Sequence, residues 1–444
     1  MNETPHPWGA ARTLLAAALL GYVWRLQDLF PVIGHIKPVT LVTGAFLVVL
    51  LLDRQLPTQF GSVATRAPAI FAVILGGLAM IGVPFSLYPG MSLSVALKDL
   101  APAIILMIGI GAAIQYPLDA YRLSAVQVIG ALVFSTVVLT RYSIGAGGRL
   151  GDLVYYDAND LGLVLVCTLP LAEWCAQYST RLAARIGALI IIGVLLLTIV
   201  KTGSRGAFLG LVAVVAYGIF ANRSAPLRRR FGLAVLAGVL LVGTAGKQYW
   251  TDMDTILHPT QDYNWVGNAE GGRMSVWKRG IGYMLGHPIT GVGVGAFPVA
   301  EGTISPLAKV QDYGVGLKWS AAHNSFVQIG AELGFPGLLM FVALLFAGLG
   351  LARRAVAFGL AVGDQRAAAM GDALAASLVG FAVSGFFLSE AYSPYVYSVI
   401  GIAIGLHEAL VRQVSVAEQA ARTSIPVPEV GGAAIELPAW NTDA

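Results

Sequence analysis

Charge is what this sequence lacks most. Asp, Glu, Lys and Arg make up 12% of its 444 residues, against 57% hydrophobic ones, whereas a soluble globular chain carries about a quarter charged residues. That balance excludes an ordinary water-soluble domain and fits a chain whose solvent is mostly lipid. Cysteine is almost missing as well, with Cys167 and Cys175 the only two. On one helix their spacing puts them about 12 Å apart, too far for a disulfide, so both read as small apolar packing residues. No paired-cysteine or His-Glu-x-x-His spacing occurs, so no metal ligands are assigned. The formal charge of +4 carries little information in such a chain, where the placement of Lys and Arg matters more. Neither nucleic acid nor a cofactor is among the expected partners.

What the sequence has is long apolar runs. A bilayer core of about 30 Å needs around 20 mainly apolar residues per helix, and about twelve such runs can be counted. They lie near 9–25, 36–52, 69–87, 98–115, 123–140, 159–177, 184–201, 206–222, 231–246, 325–350, 370–388 and 393–411. The first follows Arg12 and continues past Arg25 into further runs with no clean cleavage region, so it reads as a retained helix rather than a signal peptide. The expected fold is an all-α polytopic membrane protein of about twelve transmembrane helices. Residues 1–246 carry helices one to nine and residues 325–411 the last three. The stretch 412–444 contains Pro426, Pro428 and Pro438 with scattered acids and reads as a disordered cytoplasmic tail.

Orientation follows from the rule that Lys and Arg collect in short cytoplasmic loops. With the N-terminus inside, those loops hold Arg54, Arg66, Arg122, Arg181, Arg185, Arg223, Arg228, Arg229, Arg230, Arg353, Arg354 and Arg366. The short outer loops hold Arg25, Lys37, Arg141 and Arg149. Both termini are therefore expected in the cytoplasm.

Between the ninth and tenth runs lies the one long polar interval, residues 247–324. Membrane proteins keep connections short, so a segment of this size is expected to fold as a mainly helical cap and to carry function. By the same orientation it faces outward, into the periplasm of a Gram-negative cell.

Four positions on that face stand out. Arg205 lies in a short turn, Lys-Thr-Gly-Ser-Arg-Gly-Ala at 201–207. A snorkelling interfacial arginine is the plain alternative. Arg273 stands four residues before Trp277, on one helical face, with Lys278 and Arg279 following; this is also how the basic side of a solvated amphipathic helix looks. His323 and Asn324 immediately precede the tenth run, which contains Gly-Phe-Pro-Gly at 334–337. A neutral imidazole can take a proton from a hydroxyl, although a lone histidine at a boundary is often structural. Asn324 is placed to orient a polar ligand. The fourth is Tyr-Tyr-Asp-Ala-Asn-Asp at 155–160, where Asp157 or Asn159 can cap a helix or help bind an acceptor.

Two patterns are set aside. Gly-Val-Gly-Val-Gly-Ala-Phe at 291–297 resembles a dinucleotide motif, but no strand of a βαβ unit precedes it. Lys98 and Asp99 are expected as a local ion pair at the outer end of their helix, and Glu332 as a possible mark of an ion path.

Two arginines converging on one outer pocket suit a diphosphate, which guanidinium groups grip in a bidentate fork. Beside a lipid surface, the diphosphate expected is that of a polyprenyl carrier. In combination these motifs resemble the bacterial O-antigen ligase and polymerase superfamily. The resemblance rests on the Gly-Ser-Arg-Gly turn, on Gly-Arg-x-x-x-Trp with His-Pro-Ile-Thr-Gly-Val-Gly from His287, and on His323-Asn ahead of Gly-x-Pro-Gly. It covers roughly residues 150–410, and the first five runs match only as hydrophobic helices.

The resemblance implies a metal-independent, inverting glycosyltransferase of the membrane-embedded GT-C type in the bacterial inner membrane. Such an enzyme moves a glycan from undecaprenyl diphosphate to a glycan, lipid or protein acceptor. By resemblance Arg205 and Arg273 bind the diphosphate and His323 acts on the acceptor, the three forming the catalytic set. Arg279, Asn324, Asp157, Asn159 and Trp277 are secondary substrate-binding candidates. Asp-Ala-Asn-Asp at 157–160 is similar to an Asp-Pro-Asn-Asp stretch of some members, with Ala158 in place of the proline. A ligase is expected over a repeat-unit polymerase or a protein O-oligosaccharyltransferase, and the acceptor cannot be read from the sequence. About twelve spans is also a transporter's count, but transport calls for polar residues at the bilayer midplane. Here they concentrate at one boundary. An inert partner in an assembly complex is the third reading.

Overall fold

In lipid a backbone N–H or C=O finds no water, so an apolar run must satisfy its own backbone, as a helix does. The computed structural model is accordingly helical, with no strand among the described residues. Those are residues 9–30, 41–42, 44–45, 48–49, 56–143, 145, 149–151, 157–262, 264–265, 271–308 and 320–424. In chain order the first helices are α1 (Ala10–Tyr22), α2 (Leu56–Ala64), α3 (Ala67–Gly82), α4 (Pro89–Ala113) and α5 (Pro117–Arg141). They are followed by α6 (Ala158–Tyr178), α7 (Leu182–Thr202), α8 (Arg205–Phe220) and α9 (Leu227–Thr244). Next come the cap helices α10 (Lys247–Asp254), α11 (Arg273–Gly286) and α12 (Phe297–Thr303), then α13 (Ser325–Ala361), α14 (Gln365–Gly385) and α15 (Pro394–Ser424).

Among the described residues eight helices are long and apolar enough to cross a membrane: α3 with its short extension to Phe85, α4 to α7, and α13 to α15. Helix α9, bent by 114° against α10, makes a ninth if the pair counts as one span. The expected first and eighth spans correspond to α1 and α8, which are apolar but only 13 and 16 residues long. At 1.5 Å per residue α8 reaches about 24 Å, short of a ~30 Å hydrocarbon core. The expected second span, 36–52, lies outside the described residues apart from fragments between 41 and 49. Two further expectations change. Helix α15 runs on to Ser424, so the supposed tail begins as helix, and 425–444 lie outside the described residues. Lys98 and Asp99 sit on a π-helical turn, Ala96–Leu100, well inside α4. The apolar run starts earlier than expected because Pro89 opens the helix, at a position where proline's missing N–H costs nothing.

Helices α6, α14 and α15 form the centre, with 72%, 83% and 89% of their apolar windows buried, while α3 and α7 bury a third and face outward. Several polar side chains inside this core are paired, as burial favours. Trp24 donates to Gln127 at 2.8 Å, Gln127 donates to Ser398 at 2.7 Å, and Arg12 meets Asp119 at 2.9 Å.

The longest helix is broken. Gly334 in α13 has φ 68° and ψ −168°, and Pro336 follows without an N–H, so the hydrogen-bond ladder stops there. The orphaned carbonyls of Ala331 and Glu332 accept from the backbone N–H groups of Val292 (2.8 Å) and Gly293 (3.0 Å), and Phe335 donates to the Pro288 carbonyl at 2.9 Å. The Glu332 carboxylate accepts from the N–H groups of Gly295 and Phe297 and from the Tyr392 hydroxyl. The glycine string at 291–297 is thus a strap laid across a helix break. It must be glycine where it crosses, since a Cβ on Gly291 would come within 2.2 Å of the Glu332 carbonyl carbon. Glu332, considered as a mark of an ion path, is the anchor of this strap.

The cap has a small core of its own, including Val276, Tyr283, Val292, Phe297, Ala300 and Ala322. It sits at the end of the bundle where α6, α8 and α13 begin and α7 and α14 finish.

Candidate active site

The four sequence-selected positions meet at that end. Arg205 opens α8 from a turn whose Gly203 has φ +58°, and a Cβ there would come within 2.6 Å of Arg149. Arg149 takes that space. It donates to the carbonyl of Thr202 at 3.0 Å and to the Asn159 side chain at 3.0 Å, tying the end of α7 to the start of α6. Ser204 caps α8 by accepting from the N–H of Ala207. Gly206 and Gly210 then let α8 close on Phe387 and Ser384.

The guanidinium of Arg205 points into the cap. It pairs with Asp262 and donates to the Thr255 hydroxyl at 2.7 Å. The other carboxylate oxygen of Asp262 accepts from the backbone and side-chain nitrogens of Asn264, at 3.1 and 2.9 Å. Burial opposes ionisation of Asp262, yet the Asn264 hydrogen bonds and the Arg205 charge hold its carboxyl below the usual range. Asn264 in turn accepts at its carbonyl from the N–H of Met274, the residue after Arg273. Arg205 and Arg273 are therefore joined through two cap residues.

Arg273 begins α11, where Gly272 provides no side-chain cap. One turn later Trp277 is buried and donates from its indole nitrogen to the Ala322 carbonyl at 3.0 Å. Its ring lies edge-on to Trp265 and Phe386 and near Phe387. So the helix that carries Arg273 is pinned to the residue just before His323.

His323 has φ +47°, a left-handed conformation that an L residue adopts only where the surroundings impose it. Two clamps do so here. Its N–H donates to the Ser389 hydroxyl at 2.8 Å, and Asn324 caps α13 with bonds from the N–H groups of Phe326 and Val327. Burial and the positive charge of Arg273 push the imidazole below its ordinary pKa, with Asp157 pulling the other way.

Asp157 is the N-cap of α6, accepting from the N–H groups of Asn159 (2.6 Å) and Asp160 (2.9 Å). The bland reading of this motif is thereby satisfied, while the carboxylate also lies within electrostatic reach of His323. Asn159 is occupied with Arg149 and Asp157. Asn324 is buried with its carboxamide oxygen in the cap, so its part is to fix the His323 turn. Arg279 faces elsewhere. Its guanidinium makes a forked pair with Glu301 (2.8, 3.1 and 2.5 Å), which also accepts from Tyr283 at 2.6 Å.

Several members of the site were not picked out from the sequence. Asp262 and Thr255 lie in a polar stretch rich in such residues, and nothing in spacing singles them out. Glu390 had a signal, since it is an acid in the short outer turn between α14 and α15. Burial pushes its carboxyl, which is hydrogen-bonded to that of Asp160, above the usual range. Its backbone N–H donates to Ser325, next to the Ser389 that holds His323. Among the described residues no group of three or more His, Cys, Asp or Glu is arranged to hold a metal ion.

Residues 188–342 match the family model described as O-antigen ligase. The matched stretch contains Arg205, Arg273, Trp277, Arg279, His323 and Asn324, and leaves Asp157 and Asn159 outside. No curated protein matches the chain. Over that stretch, which carries the arginine and histidine motifs, the chain is similar to O-antigen ligases.

Proposed function

We propose that this protein transfers a glycan from polyprenyl diphosphate, undecaprenyl diphosphate in a bacterium, to an acceptor hydroxyl on the outer face of the inner membrane, both termini being cytoplasmic. The observation that carries the proposal is the bridge from Arg205 through Asp262 and Asn264 to α11, and from Trp277 to His323. It links the segments that carry the two guanidiniums and the imidazole, at the starts of α8, α11 and α13. Helix N-termini favour anions, and guanidiniums fork onto phosphate oxygens. Diphosphate binding is therefore the natural use of this end of the bundle.

In the proposed reaction the acceptor oxygen attacks the anomeric carbon and the bond from that carbon to the phosphate oxygen breaks. The hydroxyl proton passes to His323, and the polyprenyl diphosphate leaves with the electron pair. Attack opposite the leaving group inverts the anomeric carbon. Arg205 and Arg273 stabilise charge that grows on the diphosphate, the kind of term that contributes most to catalysis. No step calls for a metal, so transfer should be unaffected by a chelator.

The preferred acceptor is lipid A core, as in a ligase. The test is the envelope glycolipid pattern of a deletion strain with and without the wild-type gene. Loss of all long-chain glycan from lipid A core, with polymer accumulating on the polyprenyl carrier, supports the ligase. Core bearing a single repeat unit moves the reading to a polymerase. A missing exopolysaccharide or glycoprotein moves it to another acceptor, and an unchanged glycan profile refutes glycosyl transfer.

A further inference from the structure

The opposite end of the bundle holds a cavity of about 920 Å³ bounded by α6, α7, α8, α9 and α14. Its walls are apolar and lined partly by small residues, among them Leu189 and Leu196 of α7, Val214 and Gly218 of α8, Ala237 of α9 and Ala373 of α14. Leu182 and Leu189 line it and are also 71% and 52% exposed, so the cavity opens sideways to the lipid.

Its mouth is polar and basic. Arg185, Arg229 and Arg230 line it with Glu173 and Asp372, and Arg181, Arg223 and Arg228 stand exposed beside it. Both acids are already committed. Glu173 pairs with Arg229 at 2.5 Å, and Asp372 accepts from the Tyr217 hydroxyl and from the N–H groups of Arg223 and Ser224. Arg230 spends bonds on the carbonyls of Ala225 and Ile219, and Arg185 makes one long bond to the Ala176 carbonyl. The rim therefore keeps positive charge and guanidinium donors directly above an apolar slot.

We infer that this cavity binds an anionic phospholipid from the adjacent leaflet, its acyl chains in the slot and its phosphate at Arg185 and Arg230. The size suits a lipid-sized ligand, since small-molecule pockets run to roughly 300–1,000 Å³. Basic pockets between transmembrane helices take anionic head groups for the same electrostatic reason. This site lies at the far end of α6 and α8 from Asp157 and Arg205, and it does not depend on the glycan-transfer reading.

The full-length protein in mild detergent, offered equal phosphatidylglycerol and phosphatidylcholine, tests this by native mass spectrometry. The wild type should retain phosphatidylglycerol by about 25-fold, from about fivefold for each of two arginines. Arg185→Gln should lower that preference to about fivefold. A Cβ on Gly218 meets nothing within 4 Å, so Gly218→Leu should fill the slot without distorting α8 and lose the bound lipid of either kind. Equal retention of the two lipids by the wild type overturns the inference, as does undiminished binding by Gly218→Leu. Displacement of phosphatidylglycerol by an equal concentration of polyprenyl phosphate also overturns it, reassigning the slot to a polyprenyl tail.

Discussion

Arg279 is the residue on which sequence and structure diverge most usefully, and its partners make the difference measurable. Glu301 is 2% exposed and accepts from Arg279 and from Tyr283. Glu301→Ala therefore takes the carboxylate away from a nearly buried guanidinium and a buried phenol. Removing one partner of a buried pair costs about 3–5 kcal/mol, and here the cost falls on the docking of α12 against α11. Local opening of that unit should then be favoured by roughly two to three and a half powers of ten. Hydrogen–deuterium exchange followed by mass spectrometry, on peptides covering 276–303, reads that change directly. Because α11 also carries Arg273 and Trp277, glycan transfer should fall with it. Replacing the whole set, Arg279→Met with Tyr283→Phe and Glu301→Leu, removes both charges together at similar volume, which is often close to neutral. The triple variant should regain protection to within about tenfold and recover transfer. A triple variant that is protected but inactive would refute the reasoning and return Arg279 to the donor. Unchanged exchange in Glu301→Ala would refute the assignment of the pair to docking.

Three further outcomes follow from the site. Since His323 must be neutral to accept a proton and its pKa is lowered, transfer should rise with pH through a midpoint below the ordinary histidine value of about 6.5. Asp157→Asn keeps a good helix cap but removes a charge that favours the imidazolium, so the midpoint should move to lower pH; a shift upward contradicts the placement. Arg205→Lys keeps charge and loses the planar fork, and should cost about 10²–10³ in kcat, the scale of losing one charge-stabilising donor. His323→Ala should abolish transfer while a lipid-diphosphate binding assay still detects the donor; full activity in either variant removes that residue from the chemistry. Gly203→Ala forces an L residue into a left-handed turn at about 1–2 kcal/mol and drives Arg149 off the Thr202 carbonyl. Transfer should drop about 100-fold if the turn moves Arg205 by about 1 Å, and wild-type rates would show that the turn is not what aims it.

How much of this was legible in the sequence depended on the kind of signal. Hydrophobic runs announce helices because lipid leaves the backbone one solution, and the seven runs between 69 and 201 or after 365 reappear as full spans close to where they were expected. Runs 9–25 and 206–222 reappear as the shorter apolar helices α1 and α8, of 13 and 16 residues. The candidate site residues were legible as types at a boundary, where Arg, His and Asp stand out. Their partners were not. Asp262 reaches Arg205 across more than fifty residues of sequence, and only the folded cap brings it there. The part played by the glycine string was invisible until the break at Gly334 showed which carbonyls needed donors.

The pairing of Arg205 with Asp262 bears on how a diphosphate would enter. A guanidinium left bare in a half-dry cap carries a desolvation cost, and a carboxylate partner removes it. An arriving phosphate then exchanges one anion for another, so the guanidinium keeps a charge partner throughout. Asp262 retains its two bonds from Asn264 when Arg205 turns away, which limits the penalty on the carboxylate. Arg279 has no such exchange open to it. Its fork is closed on Glu301 of α12, which also accepts from Tyr283. The two arginines resemble each other in sequence as basic residues of the same polar interval. They differ in whether the counter-ion can be replaced without unpacking a helix, and that difference is what separates the arginine proposed for the donor from the one that holds the cap together.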